Sequence, residues 1–221
     1  MDRPRGSFWE RNGLSIVLFG MFLSSWIGQI VTGHAVYDDD LRAHGHDAVT
    51  LVAYLRSPHF FEATFENWES EFLQLAALVI LTIFLKQRGS QVSKHTQHPN
   101  EDLDRVEVTP ESPWPVRAGG WIGKLYEHSL SIVLVLLFLG TFVGHLLASR
   151  AEHDLEEGWH GEPPSSLAAH LGSSELWFES FQNWQSEFLS VLAMATLTVY
   201  LRQRGSPESK PVGAPIERSK E

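Results

Sequence analysis

The stretch LSIVLVLLFLGTFVGHLLA, residues 130–148, decides the fold class because it is almost uncharged over 19 residues. A helix of that length measures about 28 Å, which matches the hydrocarbon core of a bilayer. Residues 14–32 carry no charge at all, and the apolar runs 72–85 and 188–201 are long enough once their polar approaches are included. The sequence therefore predicts an all-α polytopic membrane protein with four transmembrane helices, at about 14–32, 68–86, 130–148 and 184–202.

The chain contains an internal repeat. Residue i matches residue i+116 without a gap at 33 of the 83 positions from Asn12 to Lys94. The matches include the block Asn-Trp-x-Ser-Glu-Phe-Leu and the motif QRGS, at 87 and again at 203. Because each copy holds two predicted spans, the second copy begins on the side of the membrane where the first began. The two copies are therefore predicted to be parallel two-helix repeats.

The distribution of basic residues predicts the orientation. The segments 1–13, 86–127 and 202–221 hold 3, 6 and 5 Lys and Arg residues, whereas the two segments on the other side hold Arg42, Arg56 and Arg150 only. Lys and Arg are enriched in cytoplasmic segments of membrane proteins. Both termini are therefore predicted to be cytoplasmic, and the acidic segments between the paired spans are predicted to lie outside.

These boundaries divide the chain into segments. The linker and the tail are polar, contain proline and lack an apolar period, so both are predicted to be disordered. The segments are a cytoplasmic N-terminus (1–13), a first repeat (14–86), the linker (87–127), a second repeat (128–202) and the tail (203–221).

Polar residues recur near the predicted outer ends of the spans. Ionisable groups inside a membrane are costly and are candidates for function. One hypothesis is that Glu71 and Glu187 lie close enough to perturb each other's ionisation, with His145 as counter-ion or proton partner. The alternative is a hydrogen-bonded plug that only orients the four helices. The candidate layer consists of Gln29, Asn67, Glu71, His145, Asn183 and Glu187.

Within the repeated block, one acid is set apart from its neighbours. The second copy has Gln182 and Gln185 where the first has Glu66 and Glu69, so only Glu71 recurs, as Glu187. A recurring carboxylate is expected to have a role that its neighbours lack.

Small residues stand four apart at matched positions of the first and third spans. They are Ser24 and Gly28 in one copy, and Gly140 and Gly144 in the other. Small residues at this spacing allow two membrane helices to approach closely, so these four are predicted to serve helix packing.

Other classes of protein are disfavoured. Histidines and aspartates are frequent in the outer segments, but no metal-ligand spacing occurs, so no metal site and no cofactor are predicted. The chain has no cysteine, which excludes disulfides and thiol-based sites. Its basic residues do not form a stripe and its net charge is −10, which argues against nucleic-acid binding.

Three motifs carry a resemblance to a known family. FENWESEFLQ at 65–74, LRQRGSPESKP at 201–211 and NGLSIVLFGMFL at 12–23 together resemble an uncharacterised family of bacterial transmembrane proteins, a domain of unknown function. The resemblance covers most of the chain. It implies a multi-pass protein of the bacterial inner membrane and supplies no catalytic residues.

Two classes of function follow as expectations. The first is a non-enzymatic membrane scaffold or partner-binding protein, whose partner besides the lipid bilayer would be a second copy or another membrane protein. The second is a small transporter or channel for protons or cations that uses Glu71, Glu187 and His145. A metal-dependent enzyme on the outer face is disfavoured.

Overall fold

The computed structural model of the protein describes residues 7–93 and 105–214, and every regular element in these two ranges is a helix. The predicted all-α fold class is thus confirmed for the described residues. In chain order the helices are α1 (Phe8–Ala43), α2 (Leu51–Tyr54), α3 (Pro58–Phe84), α4 (Trp114–Ala118), α5 (Gly120–Glu127), α6 (Ser129–Trp159), α7 (Leu167–Leu171) and α8 (Ser174–Tyr200).

Equivalent residues of the two copies cap equivalent helices. Thr50 and Ser166 begin α2 and α7, and Ser57 and Ser173 begin α3 and α8. In each case the side-chain oxygen accepts the backbone N–H of the residue three positions later, which satisfies a donor that the helix leaves free. Helix α3 begins at Pro58, whose fixed φ suits the first position of a helix.

Two of the helices, α1 and α6, are long and apolar enough to cross a membrane. No residue in the most apolar window of α1 is buried, and 22% of the corresponding window of α6 is buried. Such surfaces are typical of membrane association. The other two predicted spans differ, because α3 and α8 carry carboxylates through their first halves and are apolar only in their second halves.

The described residues fall into two compact units. The first comprises residues within Met1–Ala63 and Ala148–Pro164, and the second comprises residues within Thr64–Leu147 and Ser165–Glu221. The core of the first unit consists of side chains from α1, α2 and the start of α3: Tyr37, Leu41, Tyr54 and Phe60.

Polar side chains of α1 fix the connection to α2 within this first unit. Asp38 Oδ1 accepts the backbone N–H of Val49 at 2.9 Å. His34 Nε2 lies 2.8 Å from the Val49 carbonyl oxygen, to which it donates. Since both polar backbone groups of Val49 are satisfied by α1, the connection is held against that helix.

The linker differs from its predicted disorder, because residues 105–127 contain α4 and α5. Proline near the start of α4 presets a helical φ, and four apolar side chains follow within α5. The rest of the predicted linker up to Ser93 forms a short turn, in which Ser93 Oγ accepts the backbone N–H of Gln87 at 3.0 Å. In the tail, Ser209 Oγ makes the same bond to Gln203 at 2.9 Å. The parts of the linker and tail at 94–104 and 215–221, like residues 1–6, lie outside the described residues.

Candidate functional site

A buried histidine in the second unit lies between two carboxylates. His145 belongs to the apolar segment of α6, and its side chain has no exposed surface. Its Nδ1 lies 2.7 Å from Oε2 of Glu69 on α3, and its Nε2 lies 3.2 Å from Oε2 of Glu179 on α8. We refer to Glu69, His145 and Glu179 as the Glu–His–Glu cluster.

The geometry fixes how many protons the cluster holds. A carboxylate can only accept a hydrogen bond, and a neutral imidazole can donate only one. Two short contacts between nitrogen and oxygen therefore require two protons, one in each contact, whether His145 is an imidazolium or one carboxyl group is protonated. In either form the cluster has a net charge of −1.

Glu69 is held by donors on both of its oxygens. Oε1 accepts the indole N–H of Trp184 at 2.8 Å and the hydroxyl of Ser180 at 3.3 Å, while Oε2 faces His145. Glu69 is fully buried, and Ser180 is nearly so. A carboxylate removed from water is tolerated only when its lone pairs are satisfied in this way.

Glu179 is the part of the cluster that reaches the surface. Its side chain is 23% exposed, whereas those of Glu69 and His145 are not exposed at all. A further carboxylate, Glu66, accepts a hydrogen bond from the side-chain amide of Asn183, which also donates to the Glu179 carbonyl oxygen at 3.3 Å. The cluster thus has one partly solvated end and one closed end.

Besides His145, four of the predicted layer residues lie in the second unit. Asn183 lies beside the cluster, but Asn67 and Glu71 are exposed and Glu187 is half-buried. Glu71 lies near enough to Glu187 for its charge to act on that carboxyl. His145, however, pairs with Glu69 and Glu179 and not with the two recurring acids.

The polar face that continues from Glu71 also makes a contact between helices. Gln74 Nε2 on α3 donates to the Glu187 carbonyl oxygen at 2.9 Å and to Ser190 Oγ at 2.6 Å. The remaining layer residue, Gln29, lies on α1 in the first unit and is half-buried.

Sequence reasoning missed Glu69 and Glu179 because it favoured residues that recur. Glu69 is replaced by Gln185 in the other copy, and Glu179 corresponds to Ala63. His145 likewise corresponds to Gln29. For each of the three residues of the cluster, the other copy has a side chain that does not ionise. This shared difference was the signal in the sequence.

The four small residues differ in their surroundings. A Cβ added at Gly144 would lie 2.9 Å from the ring of Phe65, so this glycine admits a close approach of α3 to α6. Added at Gly28 or Gly140, it would meet nothing within 4 Å among the described residues. Ser24 donates to the Gly20 carbonyl oxygen of its own helix at 2.9 Å.

Within residues 7–93 and 105–214, no group of three or more His, Asp or Glu residues is arranged to hold a metal ion. The contacts of the Glu–His–Glu cluster are hydrogen bonds, and the chemistry they allow is the binding and transfer of protons.

Comparison with known proteins places the whole chain in one family. No curated protein and no solved structure matches the chain. A family model matches residues 5–221, nearly the full length, in agreement with the expected resemblance to an uncharacterised family. The chain therefore belongs to the family described as domain of unknown function DUF6766.

Proposed function

We propose that the protein is an integral membrane protein that handles protons through its Glu–His–Glu cluster. It crosses the bacterial inner membrane four times, as two parallel repeats, with both termini in the cytoplasm. The observation that carries the proposal is a buried histidine, in an apolar helix, whose two ring nitrogens both contact carboxylate oxygens.

The cost of such a cluster supports a role in proton handling. Ionisable side chains at membrane depth are rare and commonly mark proton relays and ion pathways. Replacing a buried ion pair by apolar side chains is often neutral or stabilising, so packing alone does not require one. A histidine has the only side chain whose ordinary pKa lies near physiological pH, which suits it to transfer protons.

Proton binding at the exposed end would change a contact between helices. When His145 is an imidazolium, a proton that reaches Glu179 from water removes the negative charge that attracts the Nε2–H group, so this hydrogen bond becomes weaker. The contact between α6 and α8 then weakens, while the contact between His145 and Glu69 is kept. Loss of that proton restores both contacts.

Proton flux into proteoliposomes tests this function. Protein reconstituted in vesicles that contain a pH-sensitive dye is expected to carry protons above the rate of empty vesicles when a potassium diffusion potential is applied. Glu179→Gln is expected to lower the flux at least about tenfold, because removing a positioned proton-transfer group typically costs a factor of 100 or more. His145→Gln and Glu69→Gln introduce the residues that the other copy has at these positions and are expected to act alike.

The control variant changes one of the two recurring acids. Glu71→Gln changes an exposed carboxylate two residues from Glu69 and is expected to leave the flux unchanged. Each variant must elute as wild type in size exclusion, and Glu179→Gln is the decisive one because its side chain is partly exposed. Flux that is lost in Glu71→Gln but kept in Glu179→Gln would assign proton handling to the recurring pair instead.

A non-enzymatic scaffold is the second candidate, and the saturated hydrogen bonding of Glu69 favours it. These bonds join α3, α6 and α8 and could serve only to fix how the helices pack. In this case wild-type flux stays at the level of empty vesicles, and His145→Gln lowers the stability of the protein without any change in transport. Breaking a buried ionic contact by removing one partner typically costs 3–5 kcal/mol, so the loss is measurable by thermal unfolding in detergent.

A further inference from the structure

The two short helices of the linker form one structural feature. After α4 ends, Gly119 and Gly120 take positive φ values of 63° and 59° and reverse the chain into α5. A Cβ at Gly123 would lie 3.5 Å from the Pro115 carbonyl oxygen, an ordinary van der Waals contact, so α5 lies directly against α4. The turn needs glycine because residues with a Cβ rarely adopt this conformation.

The apolar side chains of this helix pair are uncovered. Trp114 is 65% exposed, Trp121 is 75% exposed and Leu125 is 51% exposed. Together with Ile122 and Tyr126, they surround an open hollow of about 320 Å³. Exposed apolar side chains grouped in one place are unusual on the surface of a soluble protein and indicate a contact surface.

The helix pair that forms the hollow is followed at once by an apolar helix. The lining of the hollow ends at Ser129, the first residue of α6, and only His128 separates α5 from α6. The uncharged segment 130–148 follows at once. If that segment enters a bilayer, the hollow lies beside the lipid headgroups, where α6 enters the hydrocarbon core.

The side chains of α4 and α5 are of the types found near lipid headgroups. Trp and Tyr combine an apolar ring with a polar N–H or O–H group and are enriched at the boundary between headgroups and acyl chains. Arg117 and Lys124 are exposed in the last turns of α4 and α5, and their long stems allow the charged group to reach lipid phosphates. Glu111 and Glu127 balance these two charges, so the surface does not select for anionic lipid.

We propose that the hollow formed by α4 and α5 binds the surface of a phospholipid bilayer, with its aromatic rings at the boundary between headgroups and acyl chains. The inference rests on the membrane insertion of α6 that the proposed function includes, but not on proton handling. It gives part of the predicted linker the role of an anchor that fixes the depth of α6.

Depth-dependent quenching in lipid nanodiscs tests the proposal. The chain has no cysteine, so Trp121→Cys provides a single site for a polarity-sensitive fluorophore in the full-length protein. In phosphatidylcholine discs that each hold one chain, lipid brominated near its headgroup is expected to quench this label about twofold, as for helices that lie 5–10 Å into the interface. A label at Arg105→Cys, outside the hollow, is expected to show no quenching.

Two further positions make each outcome decisive. Ser129→Cys keeps all the aromatic side chains and is expected to give the same quenching as Trp121→Cys. Leu137→Cys, an exposed position about 12 Å along α6 from Ser129, reports the insertion itself when the lipid is brominated in the middle of its acyl chains. Quenching at position 137 with none at 121 and 129 would overturn the anchor and leave the membrane protein intact. Absence of quenching at 137 as well would overturn the membrane part of the proposed function and the anchor together.

Discussion

Two buried carboxylates of this protein are stabilised to very different degrees. Glu69 has donors on both oxygens, from His145, Ser180 and Trp184. Glu152 is 6% exposed and lies in the polar part of α6 that follows the apolar segment. It accepts the backbone N–H of His59, but its Oε2 has no partner among the described residues.

This difference produces a testable dependence of stability on pH. Burial, followed by the negative charge of Glu156, raises the pKa of the Glu152 carboxyl to about 7, from an ordinary value of 4.5. The folded protein therefore binds this proton more tightly than the unfolded chain. Stability is expected to fall as the pH rises from about 4.5 to 7, by on the order of 3 kcal/mol, and not to change further above that range.

Glu152→Gln is expected to remove this dependence and to raise the melting temperature at pH 8, because no charge is then buried. The measurement is thermal unfolding in detergent between pH 4.5 and 8, with Glu162→Gln as the control, since Glu162 is an exposed acid of the same unit. If Glu162→Gln flattened the pH profile as much as Glu152→Gln, general charge repulsion and not the burial of Glu152 would be the cause.

The sequence pointed to glutamates of α3 and α8 and to His145, but not to the face of the helix that each residue occupies. Glu69 and Glu71 are two residues apart, so they point about 200° apart around α3. The recurrence of Glu71 pointed to that residue, yet α3 turns Glu69 inward. The rotation of a helix is set by packing against its neighbours, and a single sequence carries little information about it.

At the scale of elements, a helix cap leaves a local signal in the sequence, whereas a contact between helices leaves little. Ser57 is a local signal, because its hydroxyl satisfies a backbone group three residues away. Gly140 and Gly144 have the same local sequence signal, yet only Gly144 lies against another helix. The structured part of the linker was missed because α4 and α5 are too short to show a clear apolar period.

The two glycines of α6 give a matched pair of substitutions. Gly144→Ala is expected to destabilise the protein by about 1–3 kcal/mol, because the new methyl group overlaps the ring of Phe65. Gly140→Ala is expected to be neutral or to stabilise by up to about 1 kcal/mol, since alanine is the better helix former and nothing lies in its way. Thermal unfolding of both variants in the same detergent measures the difference. Equal effects would mean that α3 and α6 do not meet at Gly144.

At the scale of the whole molecule, the number of membrane crossings decides which segments share a side of the membrane. Among the residues that the structure describes, two helices are long and apolar enough to cross a membrane, whereas the repeat predicts four crossings. The arrangement with four crossings and the arrangement with two place Glu162 on different sides of the membrane. With four crossings it lies on the same side as Asp47, whereas with crossings by α1 and α6 alone it lies on the opposite side.

Single-cysteine labelling in intact cells distinguishes them. With four spans, Asp47→Cys and Glu162→Cys are expected to react with a membrane-impermeant maleimide from outside. Glu111→Cys and Glu208→Cys are expected to react only after the membrane is opened. All four positions are exposed in the structure, so failure to react does not come from burial. Labelling of Glu111→Cys from outside would contradict the predicted parallel repeats.

The Glu–His–Glu cluster draws on both halves of the duplicated sequence. Glu69 belongs to the first copy, while His145 and Glu179 belong to the second. Two first halves together would supply the acid without its histidine, and two second halves would supply the histidine without that acid. Each half of the chain thus supplies a member of the cluster that the other half lacks, and carrying both on one polypeptide guarantees that they are made in equal amounts.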